Sequence, residues 1–172
     1  MTAFPLLLES QIPAVRRYAR ALARSPDQAD DLVQDCLCRA LQKQHLWEPG
    51  TNLRSWLFTI LHNQHVNGIR SAIRRGTEVP DDGDDIEPLL VGAPRQDDRL
   101  LLRDLHRAFG VLSMEQREVV LLVGLEGLRY AEVAAILGVP VGTVRSRLSR
   151  AREALRRHMG ASTRGESPLA AA

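Results

Sequence analysis

Residues 130–157 read YAEVAAILGVPVGTVRSRLSRAREALRR, and no other stretch narrows the choice of fold as much. Leu137-Gly138-Val139-Pro140 separates two helical patterns. A glycine can close a helix in the left-handed conformation, and proline is tolerated only in the first turn of the helix that follows. The segment therefore reads as a helix-turn-helix. At about 100° per residue, its second helix carries Val144, Leu148, Ala151 and Leu155 on one apolar stripe, with Gly142, Arg145, Ser146, Ser149 and Arg150 opposite. A helix seated in the major groove turns such a face toward base edges. Arg145 and Arg150 can each fork onto a guanine, and Gly142 and Ser146 permit close approach. Arg147, Arg152, Arg156 and Arg157 lie off that line or further along, where phosphate contact is expected.

The remaining sequence predicts an all-α protein of two small helical domains. Apolar residues make up 44% of the 172 residues but aromatics only 4%, enough for two modest cores. No apolar run is long enough to span a bilayer and no basic-then-apolar leader opens the sequence, so a cytoplasmic protein without a membrane partner is expected. Cys36 and Cys38, two residues apart, point to different faces of a helix and are expected to be unpaired packing residues.

The small net charge of +2 hides a strong pattern. Residues 1–75 hold ten basic and six acidic side chains, residues 76–98 one and eight, and residues 99–172 twelve and seven. Two basic lobes thus flank an acidic connector. Nearly all the cations are arginine, which suits bidentate contact with phosphate and guanine. The connector GTEVPDDGDDIEPLLVGAPRQDD combines glycine, proline and clustered carboxylates, a composition that does not fold alone. The expected boundaries are a first domain at 1–75, a flexible acidic linker at 76–96, a helix-turn-helix domain at 97–160 and a disordered tail at 161–172.

The first lobe predicts helices from about Pro5 to Arg24, from Asp27 to His45 and from Leu53 to Arg75. In the second, Leu32, Val33, Cys36, Leu37, Ala40 and Leu41 form an inward band, while Asp31, Gln34, Asp35 and Cys38 share another face. The helix dipole alone accounts for Asp27, Asp30 and Asp31; Gln34 and Asp35 lie deeper and fit a docking surface better. The loop LWEPGTN follows, with Trp47 open to either a packing or a stacking role. In the third helix, Trp56, Leu57, Ile60, Leu61, Val66, Ile69 and Ile73 recur at largely helical intervals. There Asn63, Gln64, His65 and Asn67 can read bases, and Arg70, Arg74 and Arg75 can hold phosphates. His62 and His65 are three apart, but no Cys, Asp or Glu at neighbouring positions completes a metal set. Phosphate-cradling glycine loops, nucleophile elbows and paired-carboxylate sites are likewise missing, so neither catalysis, a cofactor nor a metal is expected.

Three segments in this order, DQADDLVQDCLCRAL, LRSWLFTILHNQHVNGIRSAIRR and LSMEQREVVLLVGLEGLRYAEVAAILGVPVGTVRSRLSRARE, resemble the extracytoplasmic-function sigma factors of bacterial RNA polymerase. The resemblance implies that Asp31, Gln34 and Asp35 dock on the clamp helices of the polymerase largest subunit. It further implies that Trp47, Asn52, Asn63, Asn67, Arg70 and Arg74 serve to melt the minus-ten element and capture a flipped base. Such a base needs an apolar or aromatic wall and a hydrogen-bonding edge. Gly142, Thr143, Arg145, Ser146, Arg147, Ser149 and Arg150 then read the minus-thirty-five duplex, and an anti-sigma factor is an expected partner. Ser113 and Gln116 form a capping box for the helix that braces this domain. Two rival readings are a sigma-like decoy that sequesters an anti-sigma factor and a helix-turn-helix repressor of another family. Retention of Arg145 and Arg150 argues against the first, and the DLVQD to IRSAIRR segment has no role in the second.

Overall fold

The computed structural model describes residues 3–23, 25–76, 107 and 109–164, with the backbone alone at 3 and 159–164. Most of the expected linker at 76–96 and the end of the tail lie outside these residues. Among the described residues six α-helices carry the fold: α1 Ala3–Leu22, α2 Pro26–Gln42, α3 Leu53–Arg74, α4 Met114–Val120, α5 Tyr130–Leu137 and α6 Val141–Arg164. No strand occurs among the described residues.

Helices α2 and α3 of the first unit start where the sequence supplies a partner for their free amides. Ser25 accepts a hydrogen bond from the Gln28 amide at 3.2 Å, with Pro26 opening α2. Asn52 does the same for Ser55 at 3.3 Å and opens α3. A 3-10 turn, Gln44–Leu46, ends the α2 region where one continuous helix to His45 was expected. Helices α1, α2 and α3 pack pairwise around Val15, Tyr18, Val33, Cys36, Leu57, Phe58 and Leu61. The Tyr18 and Phe58 rings sit 4.9 Å apart, and the Cys36 thiol donates to the Leu57 carbonyl at 3.5 Å. Burial pushes that thiol up to about 12, whereas Cys38 is exposed and both cysteines are free. Two residues of the expected apolar bands are not inside: Leu41 and Ile73, in the last turns of α2 and α3, are exposed. Ala29 and Phe58 are buried in addition to the expected set.

In the second unit, Ser113 and Gln116 form the expected capping box at the start of α4. This helix then widens into a π turn, Leu121–Leu125, in which the Glu126 amide reaches back to the Leu121 carbonyl at 3.0 Å. Gly127 follows with φ +66, a conformation that favours glycine. Helix α5 closes on Gly138 at φ 64, and the Val139 amide bonds the Ala134 carbonyl at 3.1 Å. Pro140 precedes α6 and turns its carbonyl to the amides of Thr143 and Val144. Val119, Leu122, Val133, Ile136, Val144, Leu148 and Ala151 fill the core between these helices. The two units are not separate bodies, because α3 packs on α5 and α1 on α4.

Candidate nucleic-acid interface

The outward face of α6 is the one its sequence period selects. Val144, Leu148 and Ala151 are buried, while Gly142, Arg145, Ser146, Ser149 and Arg150 are all exposed. Thr143 and Arg147 are half-buried at its edges. The Ser146 hydroxyl donates to the Thr143 carbonyl at 3.0 Å, which leaves its lone pairs to accept from a base or an ordered water. Beside this face, Tyr130, Arg145, Ser149, Arg152 and Arg156 line an open groove of about 260 Å³. Three guanidiniums and a phenol in one groove suit a phosphate even with the Glu153 carboxylate in its wall, which Arg157 engages; Tyr130, at the start of α5, was missed in the sequence. Arg157 is instead engaged by Glu153 at 3.3 Å, one helical turn away.

On α3, Asn63, Asn67, Arg70 and Arg74 follow one another at four, three and four residues, and all are exposed. That spacing sets amides and cations on a single stripe. Trp47 is half-buried, its ring 5.5 Å from that of Phe4, so it stands as an apolar wall at the root of the loop. Trp56 is half-buried against the core, with Phe4 edge-on at 6.3 Å. Asn52 is exposed yet engaged: its Nδ2 donates to Glu132 of α5 at 2.7 Å while its Oδ1 caps α3. On α2, Asp31, Gln34, Asp35 and Cys38 form an exposed stripe.

The sequence reading missed the polar seam between the units. Glu118 and Glu126 are the two buried charged residues among those described. Arg17 holds Glu126 through two hydrogen bonds, Nε to Oε1 at 3.1 Å and Nη2 to Oε2 at 3.2 Å, with Arg54 Nη1 3.6 Å from Oε2. His62 Nδ1 lies 2.8 Å from Glu118 Oε1. Glu132 Oε1 takes the Asn52 amide and the Ser55 hydroxyl, the latter at 3.3 Å. The Arg129 backbone amide, then the Asn52 side chain, holds the Glu132 carboxyl below its ordinary range. Tyr18, fully buried and near the Glu118 charge, has its phenol pushed well above 10. His62 is thus the partner of a carboxylate, and no group of three His, Cys, Asp or Glu among the described residues could hold a metal. Nor is any described helix long and apolar enough to cross a membrane.

Comparison with known proteins bears on both units. Residues 8–62 match the model of the Sigma2 domain of PhyR, and residues 102–155 that of sigma-70 region 4. An ECF RNA polymerase sigma factor, EcfG of Rhodopseudomonas palustris, is 40% identical over 84% of this chain and 78% of its own length. The sigma factor RpoE of Cereibacter sphaeroides is 31% identical over 91% of this chain and 86% of its own length. Among solved structures, the sigma factor RpoE of Bartonella quintana, in complex with the anti-sigma factor NepR, superposes with a TM-score of 0.79. That chain is 36% identical, covering 93% of this chain and 98% of its own length. CnrH, in complex with the cytosolic domain of CnrY, gives 0.62 at 28% identity, over 96% and 90% of the two chains.

Proposed function

This chain belongs to the ECF sigma factors of bacterial RNA polymerase, and on that basis we propose how its faces divide the work of promoter-specific initiation. It binds core polymerase and promoter DNA, and an anti-sigma factor is its natural antagonist. Residues 1–75 serve core docking and minus-ten melting, and residues 97–160 serve minus-thirty-five recognition. The observation that carries this division is the outward face of α6, where Gly142, Arg145, Ser146, Ser149 and Arg150 are exposed opposite a buried stripe. Arg145 and Arg150 read base edges from that face, flanked by Thr143 and Arg147, while the Tyr130 groove takes a phosphate.

The stripe Asp31, Gln34 and Asp35 meets the polymerase clamp helices, its carboxylates offered to basic side chains. Asn63, Asn67, Arg70 and Arg74 follow the melted strand, with Asn52 and the Trp47 wall at the loop where a flipped base is held. We read the protein as a non-catalytic subunit of the cytoplasm. The Sigma2 match to PhyR favours one alternative, a decoy that sequesters an anti-sigma factor. Run-off transcription with bacterial core polymerase on a pooled promoter library separates the two. Discrete start sites that require this protein support initiation; no new start sites together with no binding to core polymerase would establish the decoy.

A further inference from the structure

The groove beside the α6 reading face holds more than a phosphate needs. Besides Tyr130 and the guanidiniums of Arg145, Arg152 and Arg156, its lining includes Leu148, Ser149 and Glu153. The three arginines project from one side of α6 within about 16 Å of helix length. Among the described residues none of the three forms an ion pair, so their donors remain for a ligand.

Glu153 is the residue that a DNA phosphate does not explain. Its side chain is 62% exposed, and Arg157 lies 3.3 Å from its Oε1, which leaves Oε2 able to accept. A duplex backbone offers only acceptors and negative charge, and a carboxylate among the arginines repels it. A ligand with phosphates at one end and N–H donors at the other satisfies both signs of charge in this lining. Guanine is such a donor, through N1–H and its N2 amino group, whereas adenine sets an N1 lone pair where a carboxylate repels it. The Tyr130 ring and Leu148 supply the apolar wall against which a base stacks.

We propose that this groove binds a guanine nucleoside di- or triphosphate, with phosphates on the arginines and the base edge on Glu153, and that the nucleotide displaces minus-thirty-five DNA. Arg145 and Ser149 belong to both the groove and the reading face, so nucleotide and duplex compete for them. The displacement half rests on the initiation-factor reading; nucleotide binding rests on the groove alone.

Isothermal titration calorimetry of the full chain with guanosine triphosphate, adenosine triphosphate and inorganic triphosphate tests the site. The guanine nucleotide is expected to bind about tenfold tighter than the other two. Glu153→Gln should bring the two nucleotides within about threefold of each other and leave inorganic triphosphate bound at least as tightly. Arg157→Gln breaks the same helical ion pair but keeps the carboxylate, so it should retain the guanine preference and separate recognition from any loss of helix stability. Arg156→Ala should weaken all three ligands by about tenfold, while Arg16→Ala, an equal loss of charge on the exposed side of α1, should change none by more than about twofold. No binding of guanosine triphosphate at millimolar concentration would overturn the site. Equal affinity for all three ligands would reduce the groove to a general anion surface, and a guanine preference that survives Glu153→Gln would remove that residue from recognition. Fluorescence polarisation of a minus-thirty-five duplex, copied from a promoter mapped by the run-off experiment, reads the competition. Guanosine triphosphate at ten times its Kd should weaken duplex binding about tenfold, and unchanged duplex binding would overturn displacement. A promoter library that yields no start sites would instead overturn the initiation reading and the displacement half with it, while calorimetry decides nucleotide binding independently.

Discussion

Single side chains decide whether this molecule reads sequence or merely charge. Arg145 and Arg150 share the exposed face of α6, with Arg145 also at the edge of the Tyr130 groove, whereas Arg152 and Arg156 lie in that groove and off that face. The two pairs should behave differently on substitution. Arg145→Ala or Arg150→Ala is expected to cost about 1–3 kcal/mol on the cognate duplex and to relax preference at one base position. Arg152→Ala is expected to weaken all duplexes alike and to lower the salt slope by about one. Titrations against the cognate site and single-base variants at several salt concentrations check this, and a uniform loss for Arg145→Ala would move that residue to the phosphate class. These α6 positions were legible in the sequence because a helix that packs on one side has a single period to obey. Glu118, Glu126 and Glu132 were not, since their partners stand 56 to 109 residues away and spacing along the chain encodes nothing about them. A faint signal existed in EVVLLVGLEGL, where two carboxylates stand in an otherwise apolar run and so require a buried partner.

At the level of elements, the short helices depend on their ends more than on their length. α4 spans only Met114–Val120, too short to persist without its cap. The Ser113 hydroxyl accepts from the Gln116 amide at 3.4 Å and donates to Glu115 at 2.9 Å. The Glu115 backbone amide, then Ser113, holds the Glu115 carboxyl below its ordinary range. Ser113→Ala is expected to destabilise the protein by about 0.5–2 kcal/mol in chemical denaturation, and Ser113→Thr to restore most of it. Equal loss in both variants would show that the packing of α4, and not its cap, sets the effect. Capping signals of this kind made α2, α4 and the Gly138 turn readable in advance. The exposed ends at Leu41 and Ile73 were not readable, because an apolar stripe in a sequence does not say where its covering partner stops. The π turn was equally hidden, since LLVGL carries no residue that excludes an ordinary α-helical turn.

For the molecule as a whole, the relation between the two units responds to solution conditions through the seam. Glu132 has a carboxyl held below its ordinary value of 4.5, first by the Arg129 amide of its own unit and next by Asn52 across the seam, so only the Asn52 share belongs to the contact between units; that share is complete above 4.5 and is lost as pH falls through the lowered value. Acidification is therefore expected to enlarge the radius of gyration before helical content falls. Glu132→Gln should begin from a larger radius and show less of this acid expansion. Expansion of the same size in wild type and variant would remove Glu132 from the acid response.

The π turn makes the seam dependent on residue number as well as residue type. Its Glu126-to-Leu121 hydrogen bond spans five residues where an α-helix spans four, so the turn carries one residue more than an ordinary one. Deleting Gly124 would restore ordinary winding and rotate everything beyond it by about 100°, carrying Glu126 off Arg17 with every seam side chain still present. One residue lost from this turn would thus unmake the contact between the two halves without any change of charge.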